Sequence, residues 1–364
     1  MEKYTLMKQI GEGSFGKVWQ AIKKQSGEYV AIKALKQRIY SWEECLNLKE
    51  VKCLRKINNH PNIVKLQELA SENYRLYFVF EYMDCNLHQL MSNRKQYFSE
   101  AEVKNWCFQI LQGLNYMHRQ GYFHRDLIPK NLLVSNDTIK IADFGLAWEV
   151  DSCPPYTEYI TTLQYRAPEM LLMSGQYNSK VDMWALGLIM AELITFHPLF
   201  PGTCEDDQLY KICNAIGSPT EESWAEGLEL AKAHGYKFPT LEGNNLSLLI
   251  PSANDDEMSL IELLCSWDPC KRPTAAEALQ HPLFQGCLQV PRPVFGDSET
   301  DAVNGENLAS MSIDSCKMRL TPSVKKSGWK AKLIDWFLRW EPFSSLLLFV
   351  ACILHMIYFM LWYL

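Results

Sequence analysis

The residues able to do chemistry fall in a fixed order along the first half of the chain. Residues 124–131 read HRDLIPKN and set Asp126 five places before Asn131. A second aspartate, Asp143, opens an Asp-Phe-Gly triplet. Upstream, residues 11–18 read GEGSFGKV and residues 30–33 read VAIK. Glycines have no Cβ, so their backbone N–H groups can approach phosphate oxygens closely. A lysine adds a point charge, and an amide and a carboxylate oxygen suit a hard metal ion. The remaining carboxylate can take the proton of a hydroxyl. These are the parts needed for phosphoryl transfer, a reaction carried by positioning and electrostatics. Any one of the short motifs occurs by chance in many proteins. The ordered set, closed by Pro168-Glu169, does not.

The elements that must position these groups can be read from periodicity. The glycine run is followed by a strand pattern and not by a helix, which excludes a dinucleotide fingerprint. KVWQAI and YVAIKAL, separated by KKQSGE, predict a hairpin. Ser41 with Glu44 fits a capping box opening a helix that runs to about Ile57. Glu50 lies on that helix as the expected partner of Lys33, whereas Glu43 and Glu44 sit in its first turn, where acids favour the helix dipole. LYFVFEY predicts a buried strand. Ser99 and Glu102 form a second capping box, before apolar residues at 103, 106, 107, 110, 111, 114 and 117. VDMWALGLIMAELI is apolar all round, as a fully buried helix would be. A small β-rich half therefore precedes a larger helical half, with a cleft expected between them.

The chain has 364 residues and a formal net charge of −6, which argues against a nucleic-acid partner. Twelve cysteines without a Cys-x-x-Cys pair, and a start lacking an apolar signal core, favour a reducing compartment. The eight histidines show no ligand-like spacing, which argues against a structural metal site. Residues 285–341 are polar and weakly periodic, and residues 342–364 contain no Asp, Glu, Lys or Arg.

Residues 4–284 resemble the eukaryotic protein kinase domain, and within it the CMGC group and its MAK/MOK-related (RCK) branch. The finer likeness lies in YSWEECLNLKEVKCLRKI, FVFEYMDCNLHQLM, TEY at 157–159, and YRAPEMLL with the following FPGTCEDDQLYKICNAIGSPTEESW. The resemblance implies an α+β, bilobal kinase fold with a small β-rich N-lobe and a large helical C-lobe. It implies a serine/threonine kinase using ATP and Mg2+, acting on protein substrates and switched on by an upstream activating kinase. Carried over, Gly11, Gly13 and Gly16 cover the phosphates, and Ile10, Val18, Ala31 and Leu133 enclose the adenine. Phe80 is the gatekeeper, with Glu81 and Met83 on the hinge. Lys33 pairs with Glu50, Asp126 is the base, Asn131 and Asp143 bind Mg2+, and Thr162 bonds near Asp126. Thr157 and Tyr159 are the phosphorylation sites, with Arg125 the expected partner of phospho-Thr157. Arg166 is tied to a preference for proline after the target residue, and Glu169 with Arg272 forms a buried ion pair.

Three positions depart from the pattern. Ile128 stands where a lysine is usual, Lys130 follows two places later, and Gln164 stands where relatives mostly carry tryptophan beside the substrate groove. Lys130 occupies the offset of the basic residue in the HRDLAARN form of tyrosine kinases. It either takes over the missing charge or points to solvent. An active serine/threonine kinase is the leading reading. A weak pseudokinase or membrane scaffold that binds MgATP, and a dual-specificity kinase, are the alternatives.

Three zones are thus expected: a kinase domain over 4–284, a disordered linker over 285–341, and a hydrophobic transmembrane helix over 342–364. As a helix those 23 residues reach about 34 Å, enough for a hydrocarbon core of about 30 Å. Lys325, Lys326, Lys330, Lys332 and Arg339 precede it, so as a tail anchor it would hold the kinase on the cytoplasmic face of a membrane. Without it, cytoplasm or nucleus is expected. A buried or partner-binding helix, or a tail peculiar to one transcript, would give the same composition.

Overall fold

The computed structural model describes residues 1–13, 16–150, 163–175 and 177–287. The chain opens with β1 (Tyr4–Glu12), β2 (Gly16–Lys23) and β3 (Tyr29–Arg38), continues through α1 (Trp42–Asn47) and α2 (Lys49–Ile57), and returns as β4 (Leu66–Glu72) and β5 (Arg75–Glu81). The five strands form one antiparallel sheet in the order β1-β2-β3-β5-β4. The expected hairpin is β2–β3, with Val18 opposite Lys33.

Alternation along VAIK sorts its side chains to two faces. Val30 and Ile32 pack with Tyr4, Ala21 and Val79 in a small outer cluster. Ala31 and Lys33 face the other way, where Phe78 and Phe80 join the main core. Val30, Ile32 and Val79 are fully buried, and each contributes about 1.5–3 kcal/mol.

The single helix expected from Ser41 to Ile57 is two helices. Leu48 is extended (φ −60°, ψ 134°) and separates α1 from α2. No glycine or proline explains the break. Tertiary contacts do: Leu48 packs on the core, and α2 rests separately on the Phe144–Leu146 turn. The capping box is also incomplete. Ser41 accepts from Glu44 N–H, but the Glu44 carboxylate accepts from Tyr40 N–H, one residue early.

Beyond the sheet come β6 (Cys85–Asn86), α3 (Leu87–Asn93), α4 (Glu100–Arg119), β7 (Tyr122–Phe123), β8 (Leu132–Ser135), β9 (Thr138–Ile141) and β10 (Trp148–Glu149). They are followed by α5 (Pro168–Leu171), α6 (Lys180–Thr195), α7 (Glu205–Ile216), α8 (Glu221–Ala233), α9 (Leu246–Leu249) and α10 (Asp255–Leu264). The Ser99–Glu102 capping box is complete, and all seven predicted apolar positions of α4 are buried. In α6 every residue from 181 to 194 is buried. Glu169 and Arg272 form a bidentate pair at 2.6 and 2.8 Å, as expected.

Among the described residues no helix is long and apolar enough to cross a membrane. The hydrophobic segment 342–364, nearly all of the polar segment, and Thr157, Tyr159 and Thr162 lie outside the described residues.

Candidate active site

One cleft of about 760 Å3 lies between the sheet and the helical half. Ile10, Gly11, Gly13, Gly16 and Val18 line it from the β1–β2 hairpin, and Ala31 and Lys33 from β3. Glu50 enters from α2, with Phe80, Glu81 and Met83 from the connection to the helical half. Asp126, Ile128, Lys130, Asn131, Leu133 and Asp143 close the other side. Every described residue that sequence reasoning assigned to catalysis, nucleotide or metal thus faces a single space.

The glycines differ in what they require. A Cβ on Gly16 would meet the Ala34 carbonyl oxygen at 2.3 Å, so the approach of β2 to β3 demands glycine there. A Cβ on Gly11 would make only ordinary contact with Val18, and one on Gly13 would meet nothing within 4 Å. Glycine at those two places is not needed by the fold.

Lys33 sits between two carboxylates, with its Nζ 2.8 Å from Glu50 Oε1 and 2.8 Å from Asp143 Oδ1. Burial opposes its charge, but the two anions outweigh that and raise its pKa. Burial pushes the Glu50 carboxyl up against the pull of Lys33. Partial desolvation in the cleft pushes Asp143 in the same upward direction, yet the charge and hydrogen bond of Lys33 hold it below its usual value. Its backbone is left-handed (φ 63°), a conformation that costs an aspartate on the order of 1 kcal/mol.

Asp126 lies in a tight turn ahead of the 3-10 segment Pro129–Asn131. Asn131 Nδ2 donates to the Asp126 backbone oxygen at 2.9 Å and to Oδ2 at 3.0 Å. Oδ1 is buried and accepts no hydrogen bond among the described residues. Burial first, opposed by His124 and reinforced by the Asp143 charge, raises the Asp126 pKa. Ile128 is buried, whereas Lys130 is exposed at the cleft edge. The Glu81 carboxylate is held by Lys140 Nζ (2.8 Å) and Lys65 N–H (2.7 Å).

Residues 4–284 match the protein kinase domain family. The chain belongs to that family. Cyclin-dependent kinase F-4 of Oryza sativa subsp. japonica is 61% identical over 294 residues, covering 81% of this chain and 64% of the relative. Serine/threonine-protein kinase MAK of Mus musculus is 52% identical over 286 residues, covering 78% and 46%. Serine/threonine-protein kinase ICK of Mus musculus is 51% identical over 286 residues, covering 78% and 45%. The kinase domain is therefore of the CMGC type expected from its motifs, and the matched region spans roughly half to two thirds of these relatives.

The kinase domain holds its catalytic turn through a residue that sequence reasoning missed. Asp182 is 1% exposed inside α6. Its carboxylate accepts from His124 N–H (2.8 Å) and Arg125 N–H (2.9 Å) and lies 2.8 Å from His118 Nε2. Burial raises its pKa, but the His118 contact and these N–H groups win, and the carboxyl is held low. Those bonds fix Arg125 at φ 71°, which aims the next residue, Asp126. The available signal was an acid near the start of a helix whose residues are mostly apolar.

His124 supports the same turn. Its ring stands edge-on to Phe144, with centroids 5.4 Å apart, and its Nε2 is 3.0 Å from the Ala142 carbonyl. Arg125, expected to pair with phospho-Thr157, and Arg166, expected to act on the substrate, both have partners within the described residues. Arg125 donates to the Tyr177 hydroxyl and the Leu146 carbonyl, and Arg166 pairs with Glu205 at 3.2 Å.

Proposed function

We propose that the chain is an ATP-dependent protein serine/threonine kinase. The observation that carries this reading is the Lys33 bridge between Glu50 and Asp143, assembled in one cleft with Asp126 and Asn131. The site suits MgATP. Two glycines that the fold does not require line the cleft, and a buried carboxylate oxygen on Asp126 has no donor among the described residues. Asn131 and Asp143 offer the sparse hard-oxygen set by which Mg2+ is usually held together with phosphates. When bound, MgATP supplies the phosphoryl group and neutralises charge on it.

The chain's residues then divide the work. Lys33, oriented by Glu50, holds the phosphates. Asp126 orients the substrate hydroxyl and takes its proton through Oδ1, while Asn131 fixes the other oxygen. Val18, Ala31 and Leu133 exclude water around the adenine. Lys130 replaces the charge that Ile128 lacks, since it lines the same cleft from two residues further on. Arg166 favours proline after the target residue, and Thr162 bonds near Asp126.

Residues 157–159 support activation by phosphorylation of Thr157 and Tyr159, because phosphate adds about −1.5 to −2 charge that arginines can pair. Composition supports membrane insertion of residues 342–364. The pseudokinase reading rests on one observation, a buried isoleucine at position 128.

Radiolabelled ATP and a protein substrate test the main reading, with Asp126→Asn as control. Wild-type transfer to serine or threonine that falls about 10²–10⁴-fold in the control is expected. Wild-type protein that binds MgATP but transfers nothing would establish the pseudokinase reading instead.

A further inference from the structure

α2 carries Glu50 and begins after the extended Leu48, so the course of α1 does not set its place. At its first turn α2 meets β10. Lys49 holds its Nζ 3.0 Å from the centre of the Trp148 ring. The Arg125 guanidinium lies 5.1 Å from the centre of the same ring. We propose that Trp148 is a positioning residue for phosphoryl transfer, whose ring ties the helix that carries Glu50 to the turn that carries Asp126. The inference rests on the protein-kinase reading and adds a residue to it.

Geometry is the first argument. Glu50 orients Lys33, and Lys49 precedes it in the chain. Arg125 likewise precedes Asp126. One ring thus faces the neighbour of each of two carboxylates on which the cleft depends. Both contacts fall within the roughly 6 Å at which a cation is drawn to the face of an aromatic ring, and indole draws it most strongly. Arg125 is held in place by the Tyr177 hydroxyl, to which its Nε donates at 2.9 Å.

Charge is the second argument. Lys49 and Arg125 have the same sign, and desolvation together with the Arg125 charge lowers the Lys49 pKa. Two cations brought together in this way repel each other, and the negative face of the indole offsets that repulsion. The third argument is where β10 is anchored. It pairs with β7, Trp148 opposite Phe123 and Glu149 opposite Tyr122, on the strand that leads into the catalytic turn. Glu149 accepts from the Tyr122 hydroxyl and lies 3.6 Å from Lys56 Nζ in the last turn of α2. β10 therefore meets α2 at both ends. The Lys56–Glu149 pair is half exposed on both sides and holds weakly, which leaves the partly buried ring as the stronger tie.

The test reads position and turnover separately in the full chain. Amide hydrogen exchange in α2 reports the tie, and kcat with KM for ATP reports its consequence. Trp148→Ala and Lys49→Ala should each speed exchange in α2 by about tenfold and leave α6 as it is. In both, kcat should fall about tenfold, with KM for ATP within about twofold of wild type. Trp148→Phe keeps a ring and Lys49→Arg keeps a cation, so each should stay within about threefold of wild type. The double alanine variant should be no slower than Trp148→Ala. Lys49 is exposed, so Lys49→Ala carries the test even if Trp148→Ala loosens the whole lobe. The proposal is overturned if Lys49→Ala leaves α2 exchange unchanged, if the two losses add, or if KM for ATP rises while kcat holds. Faster α2 exchange in both alanine variants of a chain whose wild type transfers no phosphate would count against the kinase reading alone.

Discussion

Two buried ion pairs in this chain are built alike and finished differently. At Glu169–Arg272 both ends are closed. Arg272 donates to both Glu169 oxygens and to the carbonyls of Ser266, Lys180 and Trp267, and its side chain is 0% exposed. At Lys33–Glu50 the lysine is shared with Asp143, whose side chain is 43% exposed, and the adjacent Asp126 keeps a buried oxygen that has no partner among the described residues. A pair whose hydrogen bonds are all satisfied locally holds structure and offers nothing to a ligand. A pair with an anion open to the cleft and an unsatisfied neighbour is arranged to complete itself with one. Burial by itself does not separate the two cases; the state of the remaining donors and acceptors does.

Removing one partner from each pair should therefore give opposite outcomes. Arg272→Met leaves Glu169 buried without its donors. Stability should fall by about 3–5 kcal/mol in urea unfolding, with turnover per folded molecule retained. Unchanged stability would break the contrast. Lys33→Met should cost stability less, because Glu50 is already poised by burial to take a proton and Asp143 can turn to water. Transfer should nevertheless fall by about 10² or more. A stability loss as large as that of Arg272→Met would show that the cleft pair is structural too.

A smaller effect sharpens the catalytic side. If Lys130 stands in for the missing lysine, Lys130→Ala should lower kcat about tenfold, with KM for ATP little changed. Ile128→Lys in that background should restore it. Equal kcat for wild type and Lys130→Ala would place Lys130 in solvent only.

The smallest expected effect is a shift along the pH axis. If Asp126 is the base it must be ionised to act, and its pKa is raised in the folded protein. The acid limb of kcat/KM should then lie above the ordinary aspartate value of about 3.9, with activity lost as pH falls through the raised pKa. Asp143 is shifted the other way. Its contribution to stability should be present above the unfolded pKa and fade only as pH falls through the depressed folded one. A rate limb below the unfolding limb would reverse the assignment.

Local sequence determined what local physics can enforce. The alternation in VAIK set Lys33 and Ala31 on the cleft face. Ser99 and Glu102 fixed the start of α4, and the five-residue spacing of Asp126 and Asn131 brought them into one hydrogen-bonded turn. Each of these rests on residues a turn or a pleat apart. What only the tertiary structure decided depends on contacts across long stretches of chain. The break at Leu48 has no local cause. Gly16 is required by the backbone of a neighbouring strand and not by phosphate. Lys33 reaches Asp143 across 110 residues, and Asp182 reaches back 57 and 58 residues to hold the catalytic turn. Ile128, Lys130 and Gln164 read in sequence as three separate irregularities, and packing of α3 and α6 around the turn puts them in one pocket. A side chain's neighbours in the chain set its backbone preferences and the face it occupies. Its neighbours in space, which decide whether a charge is closed, shared or left open, come only with the packed fold.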